Sequence, residues 1–280
     1  MSTVDPTYLR ELVARALAED LGSGDVTTRA TVPEGTRGLA RITQKAVGVF
    51  YGRQVLEEVV HQTDPGGRLE VFVDDGALSE PGTVIAEIEG DAAAILWGER
   101  TALNFLQRLS GVATLTHKYV TAVAGTGAQI LDTRKTTPTL RALEKAAVAA
   151  GGGTNHRIGL YDMVLIKENH VEAAGGVACA VKAAQGAYPQ LVIDVECETI
   201  EQVIEALEAG ATRLLLDNMT LDQMRTAVQL ASGGAELEAS GGVTLDTVRS
   251  IAETGVDYIS VGALTHSAPA LDLSLLLERI

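Results

Sequence analysis

The chain has 280 residues, 46 % hydrophobic and 21 % charged, with seven prolines; this composition gives a globular protein with a sizeable core and excludes disordered, collagen-like and mucin-like chains. A formal net charge of −15 and an aromatic content of 4 % argue against nucleic acid, anionic membranes and, at face value, any highly anionic ligand. The start Met-Ser-Thr-Val-Asp-Pro lacks the basic and apolar regions of a signal peptide, no apolar run is long enough to span a bilayer, and two cysteines cannot build a disulfide framework; a cytoplasmic protein is expected.

The apolar pairs Tyr8-Leu9, Leu12-Val13 and Ala16-Leu17 repeat at helical spacing and stop at Leu21-Gly22. Short alternating runs follow at 39–43, 47–51, 69–73 and 83–88, separated by turns such as Pro33-Glu-Gly, Asp64-Pro-Gly-Gly and Asp74-Asp-Gly. They predict an α+β domain with an antiparallel sheet. A helix over 95–109 then places Leu96, Leu103 and Leu106 on one face, with Glu99 among them and Arg100 at the edge. A glutamate on an apolar stripe needs a partner, so this helix is expected to face a second subunit or a barrel mouth.

From about residue 128 the rhythm becomes strand, helix, strand, helix. Runs at 128–133, 162–167, 191–196, 213–217, 235–240 and 258–262 are short and apolar, as buried parallel strands are, with amphipathic helices at 199–209 and 244–253. Glu196, Asp217, Ser240 and Gly262 close successive strands at spacings of 21, 23 and 22 residues, the repeat of a β/α barrel. The fold class is therefore α/β: an α+β open-sandwich domain over 1–112, then an incomplete TIM-like β/α barrel over 113–269. An apolar helix over 270–280 is expected to pack back on the first domain.

Barrel active sites lie at the carboxyl ends of the strands. Those ends carry Asp132-Thr133-Arg134-Lys135, Lys167-Glu168-Asn169-His170, Glu196, Asp217, Ser240-Gly241-Gly242 and Gly262. One such residue could be a helix cap; the repeated placement points to a site. Ser240-Gly-Gly-Val-Thr is expected to open a helix with free backbone N–H groups, where phosphate binds. Glu196 and Asp217 offer hard oxygen donors that suit Mg²⁺, directly or through water; the competing reading pairs Glu196 with Lys167 and makes Asp217 a helix cap. Residues 97–170 carry a net charge of +4 within the acidic chain. Of these cations, Arg108, Lys118, Arg141 and Lys145 read as helix-face charges, whereas Arg134, Lys135, Arg157 and Lys167 sit at strand ends and loops. Cys197 reads as core filling.

Asp132-Thr-Arg-Lys-Thr-Thr-Pro, Gly151-Gly-Gly-Thr-Asn-His-Arg-Ile-Gly-Leu-Tyr-Asp and Leu165-Ile-Lys-Glu-Asn-His resemble the quinolinate phosphoribosyltransferases. So do Glu19-Asp-Leu-Gly-Ser-Gly-Asp-Val-Thr-Thr, Gly98-Glu-Arg-Thr-Ala-Leu-Asn-Phe-Leu, Leu214-Leu-Leu-Asp-Asn-Met and Glu238-Ala-Ser-Gly-Gly-Val, in order along nearly the whole chain. One departure is Thr139, where most relatives have glycine. The resemblance implies transfer of 5-phosphoribose from phosphoribosyl pyrophosphate to the ring nitrogen of quinolinate, releasing CO₂ and pyrophosphate and giving nicotinate mononucleotide for NAD synthesis. It implies that Arg134, His156, Arg157 and Lys167 line a dicarboxylate pocket, with Thr133 and Lys135 beside them and Lys135 near the phosphorylated substrate. Arg100 would enter from a neighbouring subunit of a homodimer or larger assembly. Glu196 and Asp217 would hold the ribose and Mg²⁺-pyrophosphate end, with Lys135 and Lys167 completing the catalytic set. Ser240, Gly241, Gly242, Val261, Gly262 and Ala263 would cradle the 5-phosphate. Two rival functions are a phosphoribosyltransferase acting on nicotinate or another aromatic acid, and a non-catalytic phosphate-binding barrel.

Overall fold

The computed structural model describes residues 4–280, which form two compact units. The first comprises Met1–His117, Ala142–Gly152 and Ala268–Ile280; the second comprises Lys118–Arg141 and Gly153–Ser267. Among the described residues no helix is long and apolar enough to cross a membrane.

The first unit contains α1 (Pro6–Leu21), α2 (Val26–Thr31), β1 (Arg37–Gln44), β2 (Gly48–Val49), α3 (Arg53–Thr63), β3 (Arg68–Val71), β4 (Leu78–Ser79), β5 (Val84–Asp91) and most of α4 (Ala92–Ala122). Asp5 caps α1 by accepting the Tyr8 N–H at 2.8 Å, Pro6 opens it, and its stripe Leu9, Val13, Leu17 is buried. The expected antiparallel sheet is present. On β1, Gly38, Ala40, Ile42 and Gln44 face inward in strict alternation.

Chain order continues with β6 (Gln129–Leu131), α5 (Arg141–Ala150), β7 (Val164–Ile166), α6 (Glu168–Ala174), α7 (Val177–Ala187), β8 (Ile193–Cys197), α8 (Ile200–Glu208), β9 (Arg213–Asp217), α9 (Leu221–Ala231), β10 (Glu236–Ser240), α10 (Val248–Ala252), β11 (Tyr258–Ser260), α11 (Ala263–His266) and β12 (Leu273–Arg279). All six expected strands form one parallel sheet in the order β6-β11-β10-β9-β8-β7. β6 thus returns beside the last strand, which curls the sheet. The curl stays open between β6 and β7, where a lone parallel bridge joins Leu131 to Thr154. This is the incomplete barrel expected from the spacing.

Four expectations need correction. The segment 270–280 is not a helix but strand β12, which pairs antiparallel with β1, so that the first sheet runs β12-β1-β5-β3. Leu273, Leu275 and Leu277 recur at every second position, a strand period, and Arg41 reaches across β12 to Glu278 at 3.0 Å and across β5 to Glu87 at 2.7 Å. The helix expected over 244–253 is only the short α10, preceded by a turn, so Gly241 and Gly242 do not sit at a helix N-terminus. The boundary at 112 is also too simple, because α5 and its following turn belong to the first unit.

The fourth concerns the helix-face charges. Lys118 is exposed as expected. Arg108 instead donates to the fully buried Glu144 of α5 (Nη2 2.9 Å, Nε 3.2 Å) and to the Ala268 carbonyl (3.0 Å). Lys145 is buried, and Arg141 braces loops by donating to Thr136 Oγ1 and the Ile158 carbonyl, each at 3.0 Å. Thr139 has φ +68°, a left-handed conformation that a residue with a Cβ adopts at about 1 kcal/mol and glycine adopts freely.

Candidate active site

The carboxyl ends of the parallel strands open into a cleft of about 830 Å³ within the second unit. The loop after β6 contributes Thr133, Arg134 and Lys135; the segment before β7 contributes His156 and Arg157; Lys167 follows β7. Glu196 on β8 and Asp217 on β9 line the same space, as do Ser240, Gly241, Gly242, Gly262 and Ala263. Of the fifteen residues assigned to the site from the sequence, all but two meet here. Val261 is buried and gives its N–H to the Leu131 carbonyl at 2.9 Å. Arg100 belongs to the first unit, where it is an exposed residue of α4.

The local chemistry explains the placement. Asp132, fully buried at the end of β6, accepts Asn155 Nδ2 at 2.6 Å and the His156 N–H at 2.9 Å, pinning the 155–157 segment to the strand. Burial and the like charge of Arg134 both lower the pKa of the Arg157 guanidinium. Nε of Arg134 is buried without a hydrogen-bond partner. Cations held together under these conditions make a site that an anion relieves.

In the same cleft, Lys167 Nζ lies 2.5 Å from Glu196 Oε2, so the ion pair envisaged from the sequence exists. Asp217 is not the cap of α9: Thr220 is, by accepting the Gln223 N–H, while Asp217 accepts Asn218 Nδ2 at 2.9 Å. Gly241 has φ +97°, and a Cβ there would collide with the Asn218 side chain. A Cβ at Gly262 would lie 3.2 Å from both Lys135 Cδ and His266 Nε2. These glycines let bare backbone reach the cleft, as phosphate-binding turns require.

Sequence reasoning missed His266, one helical turn beyond Gly262, and Asn218, Glu238, Val243, Thr244 and Ser260, which complete the lining with Leu165 and Leu215. It also missed a charged layer inside strands read as apolar. Asp194, Arg213 and Glu238 lie two or four residues before Glu196, Asp217 and Ser240, so the strand period of two points them the same way as the site residues; that was the available signal. Arg213 Nη2 is 2.7 Å from Glu238 Oε2 and its Nε is 3.6 Å from Asp194 Oδ2; the guanidinium carbon sits 4.1 Å from the centre of the Tyr258 ring. His156 Nε2 faces Glu238 at 3.3 Å and Asp194 at 3.8 Å.

Burial disfavours the imidazolium, but hydrogen bonds and charge from Asp194 and Glu238 outweigh it and raise the pKa of His156 to about 9. The Arg157 N–H, 2.7 Å from His156 Nδ1, acts in the opposite direction by favouring the tautomer protonated at Nε2. Burial raises the pKa of Asp194. Glu238 is held low against burial by His156, the Ser260 hydroxyl and Arg213. His156, Asp194 and Glu238 lie close enough to share a metal ion, but the Arg213 guanidinium already occupies the two carboxylates. Cys197 is buried, its thiol pushed up to about 12 first by burial and then by the neighbouring carboxylates, which makes it inert core filling.

An open β/α barrel whose mouth gathers four cations, two carboxylates and glycine-turned backbone defines an enzyme of phosphorylated and carboxylated small molecules. The family models for the N-terminal and C-terminal domains of quinolinate phosphoribosyl transferase match residues 25–110 and 112–276. A quinolinate phosphoribosyltransferase [decarboxylating] of Nicotiana glauca is 44 % identical over 98 % of this chain and 83 % of its own length. A probable nicotinate-nucleotide pyrophosphorylase [carboxylating] of Bacillus subtilis is 44 % identical over 95 % of this chain and 92 % of its own. The solved nicotinate-nucleotide pyrophosphorylase of Francisella tularensis superposes with a TM-score of 0.96 at 38 % identity, over 99 % of this chain and 98 % of that one. The chain belongs to the quinolinate phosphoribosyl transferase family.

Proposed function

We propose that the cleft of the second unit joins the phosphoribosyl group of phosphoribosyl pyrophosphate to the ring nitrogen of quinolinate, releasing pyrophosphate and CO₂ and leaving nicotinate mononucleotide. The chain is a decarboxylating pentosyltransferase of NAD biosynthesis. The observation that carries the site assignment is the convergence of Arg134, His156, Arg157 and Lys167 on one cleft that Glu196 and Asp217 also line.

Quinolinate has two adjacent carboxylates, and Arg134, Arg157 and Lys167 answer them with fixed positive charge. Nicotinate, with one carboxylate, would leave part of that charge unmatched. A non-catalytic barrel would have no use for two carboxylates in the same cleft as the cations. As the bond from C1 of the ribose to pyrophosphate breaks, its electron pair leaves with pyrophosphate, and the positive charge growing at C1 is stabilised by Glu196 and Asp217. The quinolinate nitrogen lone pair then forms the new bond. Loss of CO₂ leaves an electron pair on the ring carbon, stabilised by the adjacent pyridinium and the cationic wall until it is protonated. The backbone at Gly241, Gly242 and Gly262, with Lys135 and His266, binds the 5-phosphate.

Glu196 and Asp217 are two hard oxygen donors, a set suited to Mg²⁺ that completes its shell with phosphate oxygens and water; with Lys167 paired to Glu196, contact through water fits best. Bound there, Mg²⁺ would neutralise the departing pyrophosphate. The same reading makes the protein a cytoplasmic homodimer in which Arg100 completes the partner's site; its two unpaired cysteines suit a reducing compartment.

The test is purified protein with Mg²⁺, phosphoribosyl pyrophosphate and either quinolinate or nicotinate, following pyrophosphate and CO₂. Both products from quinolinate are expected. Pyrophosphate without CO₂ from nicotinate would indicate the sister activity, and neither product would indicate a binding protein.

A further inference from the structure

We infer that Glu238 is a positioning residue of the anion pocket: braced by Arg213 and Ser260, it fixes the His156 imidazole and, through it, the Arg157 main chain. The inference rests on the reading that Arg157 binds quinolinate.

Glu238 is fully buried in β10, an expensive place for a carboxylate. Buried ion networks can commonly be replaced by well-packed apolar residues with little loss of stability, so the fold alone does not require this one. Its geometry is fully constrained. Oε2 takes Arg213 Nη2 at 2.7 Å and faces His156 Nε2 at 3.3 Å, while Oε1 accepts the Ser260 hydroxyl. A carboxylate held at both oxygens cannot rotate, and neither can the imidazole against it.

The other imidazole nitrogen, Nδ1, accepts the Arg157 N–H at 2.7 Å. Both ring nitrogens therefore point into the protein, and His156 meets the ligand as a wall rather than as a donor. Arg157 needs such support. Its guanidinium stands beside the like-charged Arg134, and Nη1 makes only a long contact to the Met163 carbonyl at 3.5 Å. Asp132 holds the main chain of this segment from one side and Glu238 holds its side chain from the other.

The experiment is steady-state kinetics on Glu238→Gln, His156→Ala and the double variant. Glu238→Gln is expected to raise the quinolinate KM about tenfold, with kcat and the phosphoribosyl pyrophosphate KM changing by less than about threefold. The double variant is expected to match His156→Ala, because Glu238 acts through His156. An unchanged quinolinate KM, equal shifts for both substrates, or effects that multiply in the double variant would overturn the inference. If Glu238→Gln does not fold, Ser260→Ala, which removes one brace, takes its place in the same cycle. A wild type that releases no pyrophosphate from quinolinate fails the functional reading instead. The positioning role is then read from the proton resonance at His156 Nε2, assigned by its loss in His156→Ala: slow exchange in the wild type that Glu238→Gln abolishes supports it, and persistence in Glu238→Gln refutes it.

Discussion

Arg134 and Lys167 carry their charge at the ends of strands and line the cleft, Lys167 with Glu196 as its ion-pair partner. Replacing either with alanine removes a charged contact that the substrate's carboxylates cannot recover from water. Turnover should fall by about 10²–10³-fold, with unchanged circular dichroism and melting temperature. Near wild-type turnover in either variant would remove that residue from the substrate contacts. His156 makes a different prediction. Its pKa, raised to about 9 from an ordinary 6.5, means that the folded state holds the proton more tightly than the unfolded chain. The resulting stability is complete below the lower value and is lost as pH climbs through the higher one. Charging the ring puts a proton on Nδ1 and displaces the Arg157 N–H, which offsets part of this gain; a shallow decline of the melting temperature between about pH 7 and pH 9.5 is expected, and His156→Ala should flatten it.

Elements differ in how openly the sequence announces them. The β/α repeat was legible because the last four strands end at Glu196, Asp217, Ser240 and Gly262, about 22 positions apart, and α1 because its cap and stripe are local. β12 was misread because its leucines satisfy either period over a short run; the decision came from an open edge on β1 that is distant in sequence. Thirteen of the fifteen site residues named from the sequence line the cleft: most follow strand ends, as barrel sites do, while His156 and Arg157 lie in the loop before β7 and were marked by the motif that carries the resemblance. The charged layer one pleat deeper was hidden, since Asp194, Arg213 and Glu238 are intelligible only as each other's partners. The Arg108–Glu144 pair joining α4 and α5 is a second case. Arg108→Ala would strip the buried carboxylate of its guanidinium and should cost about 3 kcal/mol in denaturant unfolding. Adding Glu144→Gln should recover part of it, and full additivity of the two changes would show that the pair is not coupled.

At the scale of the whole molecule, the net charge of −15 and the anionic substrates are reconciled by distribution: the cations cluster between Arg100 and Lys167 while the acidic excess lies elsewhere. Arg100, exposed on α4, is the one of these assigned to a neighbouring subunit. Mixing Arg100→Ala and Lys167→Ala chains should regenerate about a quarter of the wild-type activity, because only one of the two sites in a mixed dimer keeps both residues. Mixtures as inactive as their parents would place Arg100 outside any shared site.

The division of the chain into Met1–His117, Ala142–Gly152 and Ala268–Ile280 against the remainder has one more consequence. The polypeptide passes from one unit to the other four times, at 117, 141, 152 and 267, so no single cut separates two complete halves. A fragment ending at 112 would lack α5 and the strand that closes its sheet, and the complementary fragment would carry both without the sheet and helices they pack on. Heat meets the same threading: melting one unit turns the connections between the other's segments into long flexible loops, so the two should lose stability together and give one calorimetric transition.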